Sequence, residues 1–462
     1  MADLRGLLGL LVVIGIAVAV SRHRRAIPWR TVAAALLLQV GFAALVLRWD
    51  PGERALEAVA DQVTELISYT QEGTAFVFGP LMTVGSPEET IFALQVLPVI
   101  VYLGALIGLL YYLRIIQYAT HYIGGGIAWL LRVSKIESMY ASTVIFLGQS
   151  EAPLMIAPYL PRLTRAQLFT VMSAGFASVA GSTLVGYSLL GAPLEYLLAA
   201  TVMNAPASLL IAKIMWPDRR GPEAEADRTP SEAVPARQHA ASDRQPTAES
   251  LHRPPNDPHD ADDPDDPDHP DGPDPDRSPD DEVDVRDVRD DASANTIDAV
   301  ARGALAGGRI AVTVGALLIA FIALIALANG ILGGIGGWFG SDDLTFQKLL
   351  GWLLAPLAWL LGVPWSEATQ AGTYIGEKTV LNEFVAYADF GPDIASLSPT
   401  TVVIVTFALA GFANFASIGI QIGTIGSLQP ERRSEVAQLG LRALLAGSLA
   451  NLSNAAIAGL IA

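Results

Sequence analysis

Two glutamates lie in the middle of strongly apolar stretches of the sequence, Glu151 within residues 134–160 and Glu383 within residues 365–390. An ionisable side chain in such surroundings costs at least a few kcal/mol, so a functional role is the default interpretation. The structural alternative is that each carboxylate has a charged partner, for example Lys378 near Glu383. Both glutamates are therefore candidate ligands for a bound molecule.

Neutral amide and hydroxyl side chains accompany the two carboxylates, either beside them or in the next apolar stretch: Gln149, Ser150, Asn382, Asn414 and Ser417. A set of carboxylate, amide and hydroxyl groups suits a neutral, polyhydroxylated solute, because each group can donate to or accept from a hydroxyl. No buried arginine is expected near these residues, which argues against a dicarboxylate or a phosphate as the ligand.

An enzymatic role would need a base beside the nucleophile, and the sequence does not provide one. Ser150 next to Glu151 could suggest a hydrolase, but a serine nucleophile requires an adjacent general base. His23 and His121 lie at the edges of apolar segments, and the other four histidines lie within residues 217–298. The chain has no cysteine, which excludes thiolate catalysis and disulfides. The pattern favours binding over catalysis.

The composition identifies a polytopic membrane protein. Of the 462 residues, 52% are hydrophobic and 16% charged, with a mean hydropathy of +0.41, whereas soluble chains carry about 25% charged residues. Residues 221–297 hold 23 acidic residues and seven arginines, so most of the net charge of −17 lies there. This proline- and aspartate-rich segment cannot bury apolar surface and is predicted to be a disordered insertion over residues 217–298. No basic patch supports nucleic-acid binding.

The apolar runs predict eight membrane spans, at about residues 6–20, 31–47, 91–113, 166–190, 193–216, 309–332, 400–425 and 436–462. Amphipathic or mixed segments at residues 50–70, 114–131 and 344–361 predict helices that lie on the membrane surface. The polar centres of residues 134–160 and 365–390 are incompatible with simple spans. Each is predicted to be a re-entrant hairpin, which is tolerated only where it is buried in protein or lines a wet cavity.

Basic residues set the predicted orientation. With the start of the first span outside, arginines and lysines concentrate in the inner loops, as at Arg22, Arg24 and Arg25, while the outer loops carry little more than Arg48 and Arg54. This is the positive-inside bias. It predicts a multi-pass protein of the plasma (inner) membrane with both termini outside and the acidic insertion in the cytoplasm.

The two halves of the chain contain an internal repeat. Residues 148–151 (GQSE) correspond to residues 380–383 (VLNE), and residues 175–178 (GFAS) correspond to residues 411–414 (GFAN). An odd number of spans separates the copies, so the second copy is inverted relative to the first. Inverted repeats with interrupted polar segments are typical of secondary transporters with a site at the membrane midplane. The predicted fold is therefore an all-α polytopic membrane protein, with eight transmembrane helices and two opposed re-entrant hairpins in an inverted repeat.

These same residues resemble the concentrative nucleoside transporter family. The resemblance covers nearly the whole chain outside the insertion, and its motifs are long: GQSEAPL at 148–154, ASVAGS at 177–182, NEFVAY at 382–387, GFANF at 411–415 and QIG at 421–423. It implies a homotrimer and import of nucleosides driven by a Na⁺ or H⁺ gradient, with no other cofactor. The alternative is a cation-coupled transporter of another neutral polar solute.

The family's organisation maps onto five regions. These are N-terminal scaffold helices at 1–113, a first transport repeat at 114–216, the acidic insertion at 217–298, a span-six scaffold at 299–340 and a second transport repeat at 341–462. By resemblance, Gln149, Ser150 and Glu151 contact the nucleobase, with serine where the family has threonine. Glu383, Asn414 and Ser417 hold the ribose, and Phe412 is the aromatic residue near the sugar.

The resemblance also implies a sodium site, formed by the carbonyls of Leu147 and Val179 and the side chain of Ser178. The family places an asparagine five positions before the glutamine, where this sequence has Val144. Valine cannot supply an oxygen to a hard cation, so one ligand is lost unless water replaces it. Proton coupling, through Glu151 or Glu383, is thus about as well supported as sodium coupling.

Overall fold

The structure is a computed structural model that describes residues 2–79, 81, 91–218, 293–338 and 344–462, together with residues 286, 288 and 290. The described residues are mostly helical. Most of the predicted insertion, residues 219–285 among them, lies outside the described residues.

Twelve helices precede the insertion in the described part of the chain. Their bounds are α1 Ala2–Val20, α2 Trp29–Leu47, α3 Asp50–Ser68, α4 Thr70–Phe78, α5 Phe92–Gln95, α6 Leu97–Tyr112, α7 Ile115–Leu131, α8 Lys135–Thr143, α9 Ala152–Met155, α10 Arg165–Ala177, α11 Gly181–Leu189 and α12 Leu194–Met215.

The described residues after the insertion form seven more helices, which are α13 Thr296–Gly337, α14 Phe346–Leu360, α15 Trp365–Val380, α16 Glu383–Asp393, α17 Pro399–Leu409, α18 Phe415–Leu428 and α19 Arg433–Ile461. The helix α13 has 42 residues, so it extends well beyond the span predicted at 309–332. It also begins inside the predicted insertion, whose end at residue 298 was placed too late.

Within the described residues, six helical segments are long and apolar enough to cross a membrane: 29–47, 92–112, 165–189, 194–215, 296–337 and 430–461. The helices α1, α17 and α18 are apolar but shorter. The segments at 165–189 and 194–215 are 94% and 89% buried within the protein, against 22% for 92–112 and 296–337. The former therefore build the centre of the molecule, and the latter pair lies at its periphery.

The peripheral helices α6 and α13 pack closely through glycines. A Cβ atom placed on Gly104 would lie 2.6 Å from the carbonyl oxygen of Gly303, and one on Gly307 would lie 2.5 Å from that of Ile100. Small residues four apart on both helices let the backbones approach, which is how apolar helices associate where no hydrophobic force acts between them.

Two of the predicted spans are broken helices. The span predicted at 166–190 is interrupted between α10 and α11, where Ser178 and Ala180 have extended backbone. The span predicted at 400–425 is interrupted between α17 and α18, where Asn414 is extended and caps α18 by accepting from the Ser417 N–H at 2.9 Å. The two breaks touch, since the Phe412 N–H donates to the Ser178 carbonyl at 3.0 Å. Backbone groups that lose their helical hydrogen bonds in an apolar interior need other partners. Here an N–H group of the second break pairs with a carbonyl of the first.

Candidate functional site

A cavity of about 310 Å³ lies beside the two helix breaks. Its lining includes all seven side chains that the sequence suggested for the substrate: Gln149, Ser150, Glu151, Glu383, Phe412, Asn414 and Ser417. These residues come from both halves of the chain. The tips of the two polar segments, 144–151 and 381–382, thus meet the start of α18 at one place.

Glu383 begins α16 and is 4% exposed. Its two carboxylate oxygens accept different hydrogen bonds, from the Tyr187 hydroxyl at 3.0 Å and from the Asn414 amide at 2.8 Å. The predicted alternative of a pair with Lys378 is not formed, because the Lys378 ammonium donates to other groups. The carboxylate is held in place by neutral donors, and it faces the cavity.

Gln149 joins the two halves of the chain directly. Its Nε2 donates to Ser417 Oγ at 2.8 Å, and its Oε1 accepts from Gln421 Nε2 at 3.2 Å. Gln421 also donates to the carbonyl of Met172 at 3.0 Å, which anchors it to α10. The amide of Gln149 is therefore oriented from both sides, with Ser417 as its contact at the cavity.

Ser150, Glu151 and Phe412 also line the cavity. Ser150 is exposed and Glu151 half-buried, while Phe412 is 8% exposed. A Cβ atom on Gly148 would lie 2.9 Å from Glu151 Oε2 and 3.7 Å from the Phe412 ring. The glycine therefore lets the carboxylate and the aromatic ring approach the tip of the first polar segment.

Several residues of the site were missed from the sequence. Tyr187 and Gln421 are large polar residues in mostly apolar helices, a signal that could have found them. Arg309 of α13 also lines the cavity, together with Thr313, Ser182 and Thr183. The arginine is exposed, and it places a cationic group at this wall, which was not anticipated from the sequence.

The residues suggested for sodium lie beside the same tip. Leu147 and Val179 are buried, and within the described residues no backbone N–H donates to either carbonyl. Ser178 Oγ donates to the Gly175 carbonyl at 2.8 Å, which leaves its own lone pairs available to a cation. Val144 is 2% exposed and follows the last residue of α8. Three oxygens are therefore available to a sodium ion, and the position at which the resemblance implies a fourth ligand is occupied by the apolar Val144.

A second polar cluster supports the breaks from behind. The ammonium of Lys378, 3% exposed, donates to the Ala408 carbonyl and to Asn451 Oδ1, both at 2.8 Å. Asn451 Nδ2 in turn donates to the carbonyls of Ala177 and Ala410, at 2.9 and 3.0 Å. Asn204 Nδ2 also donates to the Ala410 carbonyl, at 2.9 Å. Carbonyls freed by both breaks are thus satisfied by two asparagines and one lysine, which fixes the two breaks relative to each other.

We predict that Gly411→Ala destabilises the protein. A Cβ atom at Gly411 would lie 2.3 Å from Asn451 Oδ1 and 2.6 Å from the Ala177 carbonyl, and neither can move without losing its bonds. Overpacking of this kind costs about 1–3 kcal/mol. The measurement is the thermal midpoint in detergent. Gly419→Ala is the control, since nothing lies within 4 Å of its Cβ position. An unchanged midpoint for Gly411→Ala would contradict the close approach.

The chain matches three sequence-family profiles along its length. They are described as the N-terminus of Na⁺-dependent nucleoside transporters over residues 8–81, nucleoside recognition over 93–194, and the C-terminus of Na⁺-dependent nucleoside transporters over 196–459.

Relatives cover the chain from end to end. It is 45% identical to the uncharacterized transporter YutK of Bacillus subtilis, with 98% of each chain aligned. It is 39% identical to the putative nucleoside permease NupX of Escherichia coli and 37% identical to the nucleoside permease NupC of Helicobacter pylori, with 99% of this chain and 98% of each relative aligned. Among solved structures, CNTnw in an inward-facing substrate-bound state is 42% identical with a TM-score of 0.82, covering 100% of this chain and 98% of that one.

Proposed function

Because the chain belongs to the concentrative nucleoside transporter family, and is thus an integral membrane transporter rather than an enzyme, we propose that it is a nucleoside symporter whose import of nucleosides is driven by a Na⁺ or H⁺ gradient. The observation that carries this proposal is the cavity to which both halves of the chain contribute a carboxylate, an amide and a hydroxyl. Its volume of about 310 Å³ lies at the lower end of the range of roughly 300–1,000 Å³ for small-molecule pockets.

In this proposal the nucleobase lies against Gln149, Ser150 and Glu151, and the ribose against Glu383, Asn414 and Ser417, with Phe412 beside the sugar. The two oxygens of Glu383 can each accept from a ribose hydroxyl in addition to their present donors, because a carboxylate oxygen has two lone pairs. Gln149 donates to Ser417. A nucleoside would replace that bond, so base and sugar recognition are coupled through one contact.

The finer architecture is also part of the proposal. Eight spans, two opposed re-entrant hairpins at α8–α9 and α15–α16, and an inverted repeat account for the paired helix breaks and for the bend of 116° between α14 and α15. We further propose a homotrimer in the plasma membrane, with scaffold helices in residues 1–113 and 299–340 and transport repeats in residues 114–216 and 341–462. Both termini are assigned to the outside, and the insertion to the cytoplasm.

The coupling ion, Na⁺ or H⁺, can be tested at the position of the proposed ion site that Val144 occupies. With an apolar Val144 there, we expect Val144→Asn to strengthen sodium dependence by restoring a side-chain oxygen. The half-saturating sodium concentration for uridine uptake should fall on the order of tenfold, the scale on which single changes around a metal alter its affinity. Val144→Ala, which adds no oxygen, is the control. If the Val144→Asn variant is indifferent to sodium, and its uptake stops when the pH gradient is dissipated, the coupling ion is the proton.

The proposal is tested by uptake of labelled uridine and adenosine into proteoliposomes, with a sodium gradient, a pH gradient or neither. We expect concentrative uptake with one of the gradients and competition by unlabelled nucleosides. The second candidate, a transporter of another neutral polar solute, requires the same cavity but a different ligand. Failure of every nucleoside to compete would favour that candidate and overturn nucleoside transport.

A further inference from the structure

A second and larger cavity, of about 970 Å³, lies away from the substrate site. It opens where α1 joins α2, beside the turn between α7 and α8 and the end of α12. Within the described residues its lining includes four arginines: Arg22, Arg24, Arg25 and Arg132. The ends of several apolar helices converge here, so the cavity lies at a boundary between membrane and water, the depth of the lipid headgroups.

Two of the arginines are built into the wall. The Arg22 N–H donates to the Met215 carbonyl at 2.9 Å, and its guanidinium lies 4.4 Å from the centre of the buried Trp216 ring. Arg24 donates to the Val18 carbonyl at 3.1 Å and thereby caps the end of α1. The loop that carries the arginines is thus fixed against α1 and α12 rather than free to move its charges apart.

The positive charges of the other two arginines are not neutralised by any described side chain. Arg25 and Arg132 are exposed, and neither side chain has a hydrogen-bond or ion-pair partner in the part of the chain that the structure describes. The carboxylate in the lining, Asp218, pairs with the Lys213 ammonium, which also pairs with Glu137 of α8 at 2.6 Å. The lining therefore carries an excess of positive charge that no described side chain neutralises.

We propose that this cavity binds the phosphate headgroup of an anionic phospholipid. Guanidinium groups match phosphate oxygens with two parallel hydrogen bonds, and arginine is preferred at such sites for that reason. Basic pockets between membrane helices are places where anionic headgroups bind. Dispersed arginines would be enough for a positive-inside bias, whereas here four arginines line one cavity. Since Lys213 lines it too, a bound headgroup lies next to the ion pair that fixes α8.

The test is native mass spectrometry of the full chain in detergent, titrated with dioleoylphosphatidylglycerol or dioleoylphosphatidylcholine. We expect the wild type to bind phosphatidylglycerol more tightly than phosphatidylcholine. The double variant Arg25→Gln/Arg132→Gln should bind phosphatidylglycerol about 30-fold more weakly, which corresponds to about 1 kcal/mol for each arginine. The control Arg30→Gln/Arg433→Gln removes two exposed arginines that do not line the cavity, and it should bind as the wild type does. Elution volume and uridine uptake show that each variant is folded.

Three results would overturn the proposal. Equal wild-type affinity for the two lipids would mean that the cavity does not select an anionic headgroup. Equal losses in the double variant and the control would mean that general surface charge is responsible. Displacement of phosphatidylglycerol by inorganic phosphate would mean that the site takes free phosphate instead of lipid.

Discussion

Glu383→Gln is expected to weaken nucleoside binding by at least about 100-fold. The carboxylate accepts from Tyr187 at one oxygen and from Asn414 at the other. A glutamine would turn its NH₂ group toward either the Asn414 amide, which is a donor, or the Tyr187 hydroxyl, which would then have to accept instead of donating. Asn414 cannot simply turn its amide over, because its oxygen caps α18 through the Ser417 N–H. Charge-assisted bonds to ribose hydroxyls, worth about 1.5–3 kcal/mol each, are weakened as well. The measurement is uridine binding to purified protein.

The control for this variant is Glu72→Gln, which makes the same chemical change at an exposed residue of α4. It should leave uridine affinity unchanged. Assembly is followed by the elution volume, which we expect Glu383→Gln to preserve, since the side chain lines a cavity formed by this chain's own residues. Near-normal uridine binding by a correctly assembled Glu383→Gln variant would show that the glutamate is structural.

Asn451→Ala is expected to cost about 3–5 kcal/mol of stability. The asparagine accepts from the buried ammonium of Lys378 and donates to the carbonyls of Ala177 and Ala410. Removing it leaves the charge with the Ala408 carbonyl as its remaining hydrogen-bond acceptor among the described residues. An incompletely compensated buried charge is destabilising on this scale. The thermal midpoint in detergent should fall accordingly, and the contact between the two helix breaks should loosen.

Ser448→Ala is the matched control, because Ser448 is a half-buried polar residue of the same helix, α19. Its removal should change the free energy of unfolding by less than about 0.5 kcal/mol, as is usual for substitutions away from such clusters. The Lys378→Met variant provides a second check. If the asparagine acts mainly by compensating the ammonium, Asn451→Ala should cost less in the Lys378→Met background than in the wild type. Equal costs in both backgrounds would contradict that role.

The positions of the helices and of the polar side chains were largely predictable. A carboxylate in an apolar run is costly enough to be noticed by itself, and the repeat of its surroundings placed Glu151 and Glu383 at equivalent points of the two halves. Gln149 and Ser417 are 268 residues apart and yet share a hydrogen bond. The sequence predicts an inverted repeat, and such a repeat would bring the two polar segments together from opposite directions.

The helix breaks and their support were not predictable in the same way. Residues 166–190 are as apolar as an unbroken span, so their composition does not indicate the break. The groups that the supporting side chains bind are backbone carbonyls, which every residue type has, so the sequence does not identify them either. Lys378 was weighed as a partner of Glu383 because the two are near in sequence, but it bonds instead to Ala408 and Asn451, 30 and 73 residues away. Arg309 was placed at the start of a span, whereas α13 begins 13 residues earlier and carries the arginine to the cavity wall.

The most direct test of the central claim is an experimental structure of the protein with uridine bound. The account predicts density in the cavity between the two polar segments, with the base against Gln149 and Glu151, the ribose hydroxyls against Glu383 and Asn414, and the bond between Gln149 and Ser417 replaced by bonds to the ligand. Density for uridine elsewhere, or an empty cavity at saturating uridine with the bond between Gln149 and Ser417 intact, would contradict it.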